Sequence, residues 1–108
     1  MGTESRPDRC RVMSKMGFAG EVVGTFAIVY IGGMSVLSKD LHGVSLQALA
    51  ICNGLMIGFM VYAFKHYSGA HFNPAVTIGF MVSGHCHWVK GLVWMLAQGT
   101  GSLLGGAI

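Results

Sequence analysis

An apolar stretch without a single charged residue, residues 44–64, is the feature that most constrains how this chain can fold. A second apolar run, residues 16–37, contains only one charged residue, Glu21. At about 1.5 Å per residue, a helix over either run is about 30 Å long, enough to cross the hydrocarbon core of a bilayer. Since 53% of the 108 residues are hydrophobic and only 10% are charged, the composition also favours a membrane-embedded fold over a soluble domain. A signal peptide is excluded for residues 16–37 because the run is too long and carries an acid.

The segment that follows the second run, residues 67–82, breaks this pattern. A polar stretch leads to Asn73-Pro74, and the apolar run behind it, residues 75–82, is too short to span a bilayer. Asn is a favoured N-cap and Pro is favoured at the first helical position. We therefore predict a re-entrant loop and half-helix, whose positive dipole end and Asn73 amide would orient water and repel cations inside the membrane.

A third apolar run, residues 88–108, follows a polar turn and predicts a third spanning helix. The predicted fold is thus an all-α membrane protein. Its parts are an N-terminal tail (residues 1–15), spanning helices over residues 16–37, 44–64 and 88–108, and the re-entrant segment over residues 67–82. Because the third run reaches the last residue without a polar flank, we expect the chain to be a fragment of a longer protein.

The distribution of charge predicts the orientation in the membrane. With the N-terminus in the cytoplasm, six of the seven Lys and Arg residues lie on the cytoplasmic side, and only Lys39 lies outside. The basic residues do not form a stripe interleaved with aromatics, so nucleic-acid binding is not expected. The aromatic residues expected near the membrane interfaces are Tyr30, Tyr67, Trp88 and Trp94.

Other chemistry is not indicated by the sequence. No nucleophile, base and orienting acid group together, and there is no phosphate-binding loop, so we expect neither an enzyme nor a cofactor. The cluster His85-Cys86-His87 lacks further ligands, and no metal is expected there. Three Gly-x-x-x-Gly pairs predict close helix crossings: Gly20 with Gly24, Gly54 with Gly58, and Gly101 with Gly105.

The residues around Asn73 carry a family resemblance. The run SGAHFNPAVT, residues 68–77, resembles the first signature loop of aquaporins and aquaglyceroporins, the major intrinsic protein family. The run GEVVGTF, residues 20–26, resembles the first-helix pattern of that family, with Gly20 where Ala is usual, and Gln98 also matches a family position. The resemblance covers nearly everything after Lys15.

The resemblance implies a fold and a function. The family fold is two inverted repeats, each with three helices and a half-helix, and the half-helices meet at the membrane midplane. This chain would be the first repeat, residues 16–108, and would need a missing C-terminal half. The implied function is passive passage of water, and of small neutral solutes such as glycerol, through one pore in each subunit of a homotetramer in the lipid bilayer.

The resemblance also implies roles for particular residues. The implied pore-lining or selectivity residues are Ile28, Asn53, Ile57, Gly69, Ala70, His71, Asn73, Pro74, Ala75 and Val76. Glu21 would brace the re-entrant loop, with Gln98 as further support; the alternative for Glu21 is a side chain that snorkels at the inner edge of its helix.

Asn53 stands twenty positions before Asn73, where the resemblance implies the outer constriction. The family usually carries Phe, His or Trp there, so a shorter amide predicts a wider and more polar filter. An offset of one residue in this alignment is the alternative. A second functional interpretation also stays open, in which the chain is a truncated, non-conducting subunit that modulates full-length channel partners.

Overall fold

The computed structural model describes residues 15–108, and the secondary structure in this range is entirely helical. Its helices are α1 (Lys15–His42), α2 (Leu46–Ser68), α3 (Pro74–Val82) and α4 (Trp88–Ala107). The predicted all-α fold class is confirmed. The predicted tail lies outside the described residues except for Lys15, which begins α1.

Among the described helices, α1 and α2 are long and apolar enough to cross a membrane. The third predicted span, α4, does not meet that criterion, because Lys90 and Gln98 lower the mean hydropathy of the helix. Both side chains are buried. Gln98 is fully buried, so the polarity of α4 is partly enclosed by the protein itself.

The helix ends differ from the predicted ones because a helix does not stop where its apolar run stops. α1 continues beyond residue 37 to His42 and ends at Gly43, whose φ of 69° lies in the left-handed region. α2 begins at Leu46, because the Ser45 side chain accepts a hydrogen bond from the Ala48 amide at 3.1 Å. It then extends past the predicted residue 64 to Ser68.

Glycines bring α1 and α4 close together. A Cβ atom on Gly101 would lie 2.4 Å from the carbonyl oxygen of Val22, and one on Gly105 would lie 2.8 Å from that of Phe26. Both distances are too short for any side chain, so the two helices can cross here only because these positions are glycine. By contrast, a Cβ atom on Gly54 would meet nothing within 4 Å among the described residues; Gly58 is equally open.

The two sides of the molecule are therefore packed very differently. Seven residues of α4 are buried, whereas Ser68 is the one buried residue among those described in α2. α1 packs between α2 and α4, and α3 packs against α4. The half-helix and its loop are thus held mainly by α1 and α4, and α2 leaves a partly open side.

Candidate functional site

The loop between α2 and α3 has an uncommon backbone. Gly69 ends α2 with a φ of 87°, and Ala70 and Phe72 follow with φ values of 55° and 56°. A non-glycine residue in this region costs about 1–3 kcal/mol and persists only where the surroundings hold it. The contacts of this loop therefore decide whether α3 starts where it does.

The carboxylate of Glu21 on α1 holds this loop. Its Oε2 atom accepts hydrogen bonds from the Ser68 hydroxyl at 2.6 Å and the His71 amide at 3.1 Å. Its Oε1 atom accepts from the Phe72 amide at 2.9 Å and from Gln98 Nε2 at 2.6 Å. A carboxylate has about four lone-pair sites, and here all are used. Glu21 is 0% exposed, so it does not snorkel to the membrane edge.

A second set of hydrogen bonds surrounds this carboxylate. Thr77 Oγ1 accepts from Gln98 Nε2 at 3.0 Å and lies 2.9 Å from the Nδ1 atom of His71. Trp94 Nε1 donates to the carbonyl oxygen of Ser68 at 2.8 Å. These bonds tie the loop to both α3 and α4. We call the set the Glu21 cluster; it consists of Glu21, Ser68, His71, Thr77, Trp94 and Gln98, and each member is at most 4% exposed.

Phe72 anchors the loop on its other side. Its ring meets the Phe64 ring edge to face, with 6.2 Å between centroids and an interplanar angle of 89°. It also lies against Gly24 of α1, where a Cβ atom would come within 2.1 Å of the ring. Gly24, which belongs to the first predicted Gly-x-x-x-Gly pair, therefore leaves room for the Phe72 ring. The close approach at Gly24 is between a helix and a loop.

Asn73 caps α3 as the sequence predicts. Its backbone is extended, with φ −155° and ψ 126°, and its Oδ1 atom accepts from the Ala75 amide at 2.8 Å. Pro74 occupies the first turn, where its missing N–H leaves nothing unsatisfied. The Nδ2 atom of Asn73 donates to no other described residue, and the side chain is exposed. The amide nitrogen is therefore free to donate a hydrogen bond.

A cavity of about 180 Å³ opens beside this amide. It is lined by Ile28, Ile57, Val61, His71, Phe72, Asn73 and Val76. Five of the predicted site residues thus lie together around one space, whose wall is apolar except near His71 and Asn73. The predicted residues that do not line it are Asn53, Gly69, Ala70, Pro74 and Ala75. We call this space the half-pore.

Asn53 lies one helical turn beyond Ile57 on the same side of α2. It is half-buried, while its neighbours Ile51 and Cys52 are exposed, so its side chain faces inward. Its Nδ2 atom donates to Ser35 Oγ at 3.1 Å and to the Leu49 carbonyl at 3.0 Å. It therefore connects α2 to α1 at the end of the half-pore.

Sequence reasoning missed several functional contacts. Ser68 and Thr77 stand inside the signature loop, but nothing in their type predicts that they bind Glu21 and Gln98. Trp94 was singled out only as an aromatic residue near a membrane interface, whereas its ring is 0% exposed and packs inside the protein. Its position four residues before Gln98, on the same face of α4, was the available signal. Val61 was also missed as a cavity-lining residue, although it stands four residues after the predicted Ile57.

The described residues offer no candidate metal centre, since no group of three or more His, Cys, Asp or Glu side chains comes together within residues 15–108. The Glu21 carboxylate is occupied by hydrogen-bond donors. What this part of the molecule offers is an unpaired amide donor, an apolar wall and a loop held by buried hydrogen bonds.

Comparisons with known proteins agree with this geometry. A family model described as Major intrinsic protein matches residues 10–108. Aquaporin NIP2-1 of Oryza sativa subsp. japonica is 40% identical over 85 residues, which cover 77% of this chain and 28% of the relative. Probable aquaporin NIP4-2 of Arabidopsis thaliana is 41% identical over 86 residues, 78% of this chain and 30% of the relative.

A third relative, the Probable aquaporin NIP-type of Nicotiana alata, is 38% identical over 85 residues, 78% of this chain and 32% of the relative. No solved structure matches the chain significantly. The chain therefore spans about three tenths of the length of these curated relatives.

Proposed function

The chain belongs to the major intrinsic protein family, as the signature loop indicated, and from this premise we propose that it forms the first half of a passive channel for water and small neutral solutes. The family membership and the two apolar helices make it part of an integral membrane protein. The proposed transport involves no covalent step. Solutes would pass in single file through a pore completed by a second repeat.

The observation that carries this proposal is the free amide of Asn73 at the start of α3. Its oxygen accepts from the Ala75 amide, whereas its nitrogen donates to no other described residue and can donate to a solute. The N-terminal end of α3 adds a positive partial charge at the same point. A donor beside a positive dipole end binds the oxygen of water or of an alcohol and repels a cation, which is the selectivity a neutral-solute channel needs.

The rest of the half-pore supports passage. Ile28, Ile57 and Val76 give it an apolar wall with few hydrogen-bonding partners, so water is not held there. We propose that the carbonyl groups of the loop accept hydrogen bonds from the file of solutes in the complete channel; they belong to Gly69, Ala70 and His71. Pro74 and Ala75 are exposed at the tip of α3, where the half-helix of a second repeat would pack.

The Glu21 cluster has a supporting role in this proposal. Its carboxylate gathers donors from the loop and, with Gln98, from α4, so it keeps Asn73 at a fixed depth without contacting solute. We also propose a cytoplasmic N-terminus, on the basis of the charge distribution. Assembly of the complete channel as a homotetramer belongs to the same proposal, through the family resemblance.

The decisive experiment is a flux measurement on the protein expressed from its complete reading frame. Purified protein is reconstituted in liposomes, and shrinkage after an osmotic step is followed by light scattering, first with an impermeant osmolyte and then with glycerol. We expect water permeability well above that of empty liposomes. Monodisperse protein that raises neither flux would contradict the channel and would favour the non-conducting, partner-modulating subunit.

Asn73→Asp tests the central amide. The change keeps the oxygen that caps α3 but removes the donor and adds a negative charge, so we expect water permeability to fall about tenfold and a cation leak to develop. Gln47→Glu is the matched control, because it makes the same amide-to-acid change at an exposed position on α2 outside the half-pore. Normal water flux without a leak in the Asn73→Asp protein would count against the role of Asn73.

A further inference from the structure

We propose that the edge of the molecule at which α1 begins is a binding surface for phospholipids with negatively charged headgroups. The proposal goes beyond solute passage, because it concerns the outer surface of the protein and not the half-pore. We call this surface the basic edge; it consists of the exposed residues Lys15, Lys65, His66, Tyr67 and Trp88.

The contacts between helices place three helix ends at this edge. A Cβ atom on Gly20 of α1 would lie 3.0 Å from the Phe64 ring of α2. Further along α1, one on Gly32 would lie 3.2 Å from the side chain of Asn53, which comes earlier in α2, so α2 runs antiparallel to α1. The glycine contacts of α4 with α1 advance in the same order along both helices, so α4 runs parallel to α1. The start of α1, the end of α2 and the start of α4 therefore share one edge.

No acid among the described residues neutralises the lysines of the basic edge. Residues 15–108 contain two acids, Glu21 and Asp40. Glu21 is buried, and its carboxylate accepts four hydrogen bonds from uncharged donors. Asp40 belongs to the last turn of α1, about 37 Å from Lys15 at about 1.5 Å per residue. In the sequence, residues 1–14 add three arginines and two acids, so they do not cancel the positive charge.

The opposite edge of the molecule has a different charge pattern. Lys39 stands next to Asp40 in the last turn of α1, so a positive and a negative residue lie side by side there. Lys39 is also half-buried, whereas Lys15 and Lys65 are exposed. The described residues therefore present an excess of exposed positive charge at the basic edge and not at the other.

Both lysines of the basic edge lie where the apolar surface of their helices ends. Met16, which follows Lys15, is 62% exposed, and the apolar run of α2 stops immediately before Lys65. A lysine at such a boundary packs its methylene groups along the apolar surface and extends its ammonium group toward the lipid headgroups. Tyr67 and Trp88 are exposed at the same edge, and aromatic residues with one polar atom favour the headgroup region.

This combination fits a phospholipid better than a soluble anion. A phosphate ion would find the ammonium groups but would leave the apolar surface beside them uncovered. A phospholipid covers that surface with its acyl chains while its headgroup lies beside the lysines. A headgroup with a net negative charge is attracted by each lysine near the membrane surface, whereas phosphatidylcholine has no net charge. We therefore expect the basic edge to prefer phosphatidylglycerol to phosphatidylcholine.

The test titrates the protein, expressed from its complete reading frame and purified in detergent, with each of these two lipids. The measured quantity is the lipid concentration that gives half of the maximal rise in the temperature at which protein is lost from the monodisperse peak. We expect this concentration to be about tenfold lower for phosphatidylglycerol. Added salt should reduce the difference, because it screens exposed charges. Inorganic phosphate should give no rise.

Four single-residue variants locate the surface. Lys15→Gln and Lys65→Gln each remove one charge and keep most of the side chain, so each should weaken the affinity for phosphatidylglycerol about fivefold. Lys65→Arg keeps the charge and should keep the affinity. Lys39→Gln removes a lysine at the opposite edge and is the matched control, so it should leave the affinity unchanged. The temperature measured without lipid shows whether each variant is folded as well as the parent.

The contrary outcomes are distinct. Equal affinity of the parent for the two lipids would overturn the proposal, and so would unchanged affinity in the Lys15→Gln and Lys65→Gln proteins. A rise with inorganic phosphate would show a site for a soluble anion instead. A fall with Lys39→Gln as large as that with Lys65→Gln would show that affinity follows total charge and not this edge. None of these results depends on solute flux, so they leave the proposed channel function to its own test.

Discussion

Two polar clusters of this chain, one around Glu21 and one around Asn53, use similar side chains but differ in burial and in how completely their polar atoms are paired. The Glu21 cluster joins α1, the loop, α3 and α4, and its carboxylate accepts four hydrogen bonds in a site closed to solvent. The bonds that Asn53 donates to Ser35 and to the Leu49 carbonyl join only α1 and α2 at half-buried positions, and Asn53 Oδ1 accepts no bond from the described residues. A closed cluster whose central carboxylate is fully paired fixes the backbone, whereas a half-buried one leaves an atom unpaired.

The physical reason lies in what an unpaired polar atom costs. Deep in the protein, a donor without an acceptor costs about 1–3 kcal/mol, because no water can replace the missing partner. At a half-exposed position, water meets the same need almost without cost. The Glu21 cluster itself is not perfect, since Gln98 Oε1 is buried without a hydrogen-bond partner among the described residues. The comparison therefore predicts that substitutions in the Glu21 cluster lower stability strongly and that substitutions around Asn53 lower it little.

The largest effect is expected from Glu21→Gln. The substitution keeps the shape but turns one acceptor oxygen toward the loop into a donor, facing either the Ser68 hydroxyl and the His71 amide or the Phe72 amide and Gln98. We expect a loss of about 3 kcal/mol or more, and little folded protein. Size-exclusion chromatography of detergent-purified protein measures the monodisperse yield. A yield equal to the parent's would show that the loop is held elsewhere.

Trp94→Phe is expected to have the next largest effect. It removes the donor to the Ser68 carbonyl and leaves a gap where a fully buried indole stood. We expect destabilisation of about 2 kcal/mol. The measurement is the temperature at which half of the protein is lost from the monodisperse peak after heating. The exposed Trp88 offers the matched control, because Trp88→Phe should leave that temperature unchanged.

Thr77→Val tests how much of the stability of the Glu21 cluster comes from the bonds of Thr77. Valine fills the same volume but cannot accept from Gln98 Nε2 or bond to His71 Nδ1. We expect a loss of about 1–2 kcal/mol, smaller than for Glu21→Gln, because Gln98 keeps its bond to Glu21. Thermal stability in detergent checks this, and Thr77→Ser should recover most of it. A loss as large as that of Glu21→Gln would mean that the bonds of Thr77 and those of Glu21 stabilise the protein as one unit.

The smallest effect on stability is expected from Ser35→Ala. The Asn53 amide keeps its bond to the Leu49 carbonyl, and water can reach the freed hydrogen, so the loss should be about 0.5 kcal/mol. The same heating assay measures it. A loss comparable to that of Thr77→Val would contradict the comparison, because the bonds around Asn53 would then stabilise the fold as much as those around Glu21.

Local sequence rules predicted the start of the half-helix well. Asn73 and Pro74 are the residue types that cap and begin a helix, and the cap forms here within the first turn, through the bond from the Ala75 amide to Asn73. The apolar runs likewise indicated the helices, although not their ends, because Ser45 and Gly43 decide those through caps and backbone angles. The family resemblance predicted Ile28, Ile57 and Val76 as pore-lining residues, and all three line one cavity; that this cavity conducts solute stays a prediction.

Hydrogen bonds between residues far apart in the sequence could not be predicted from local sequence rules. Nothing near Trp94 in the sequence shows that it donates to Ser68, and nothing near Ser35 shows that it accepts from Asn53 across two helices. The Gly54 and Gly58 pair has the same spacing as Gly101 and Gly105, yet only the second pair lies at a crossing of described helices. Spacing predicts that a close approach is possible, and the partner helix decides whether it occurs.

The sequence by itself determined that the chain is helical and membrane-embedded, and that a half-helix starts at Asn73, because hydropathy, capping and proline geometry act within a few neighbouring residues. Only the tertiary structure decided that Glu21 holds the loop in its left-handed conformation and that the Asn53 amide has one orientation. Those outcomes depend on donors and acceptors far apart in the chain, and a hydrogen bond forms only where packing brings both atoms within about 3 Å.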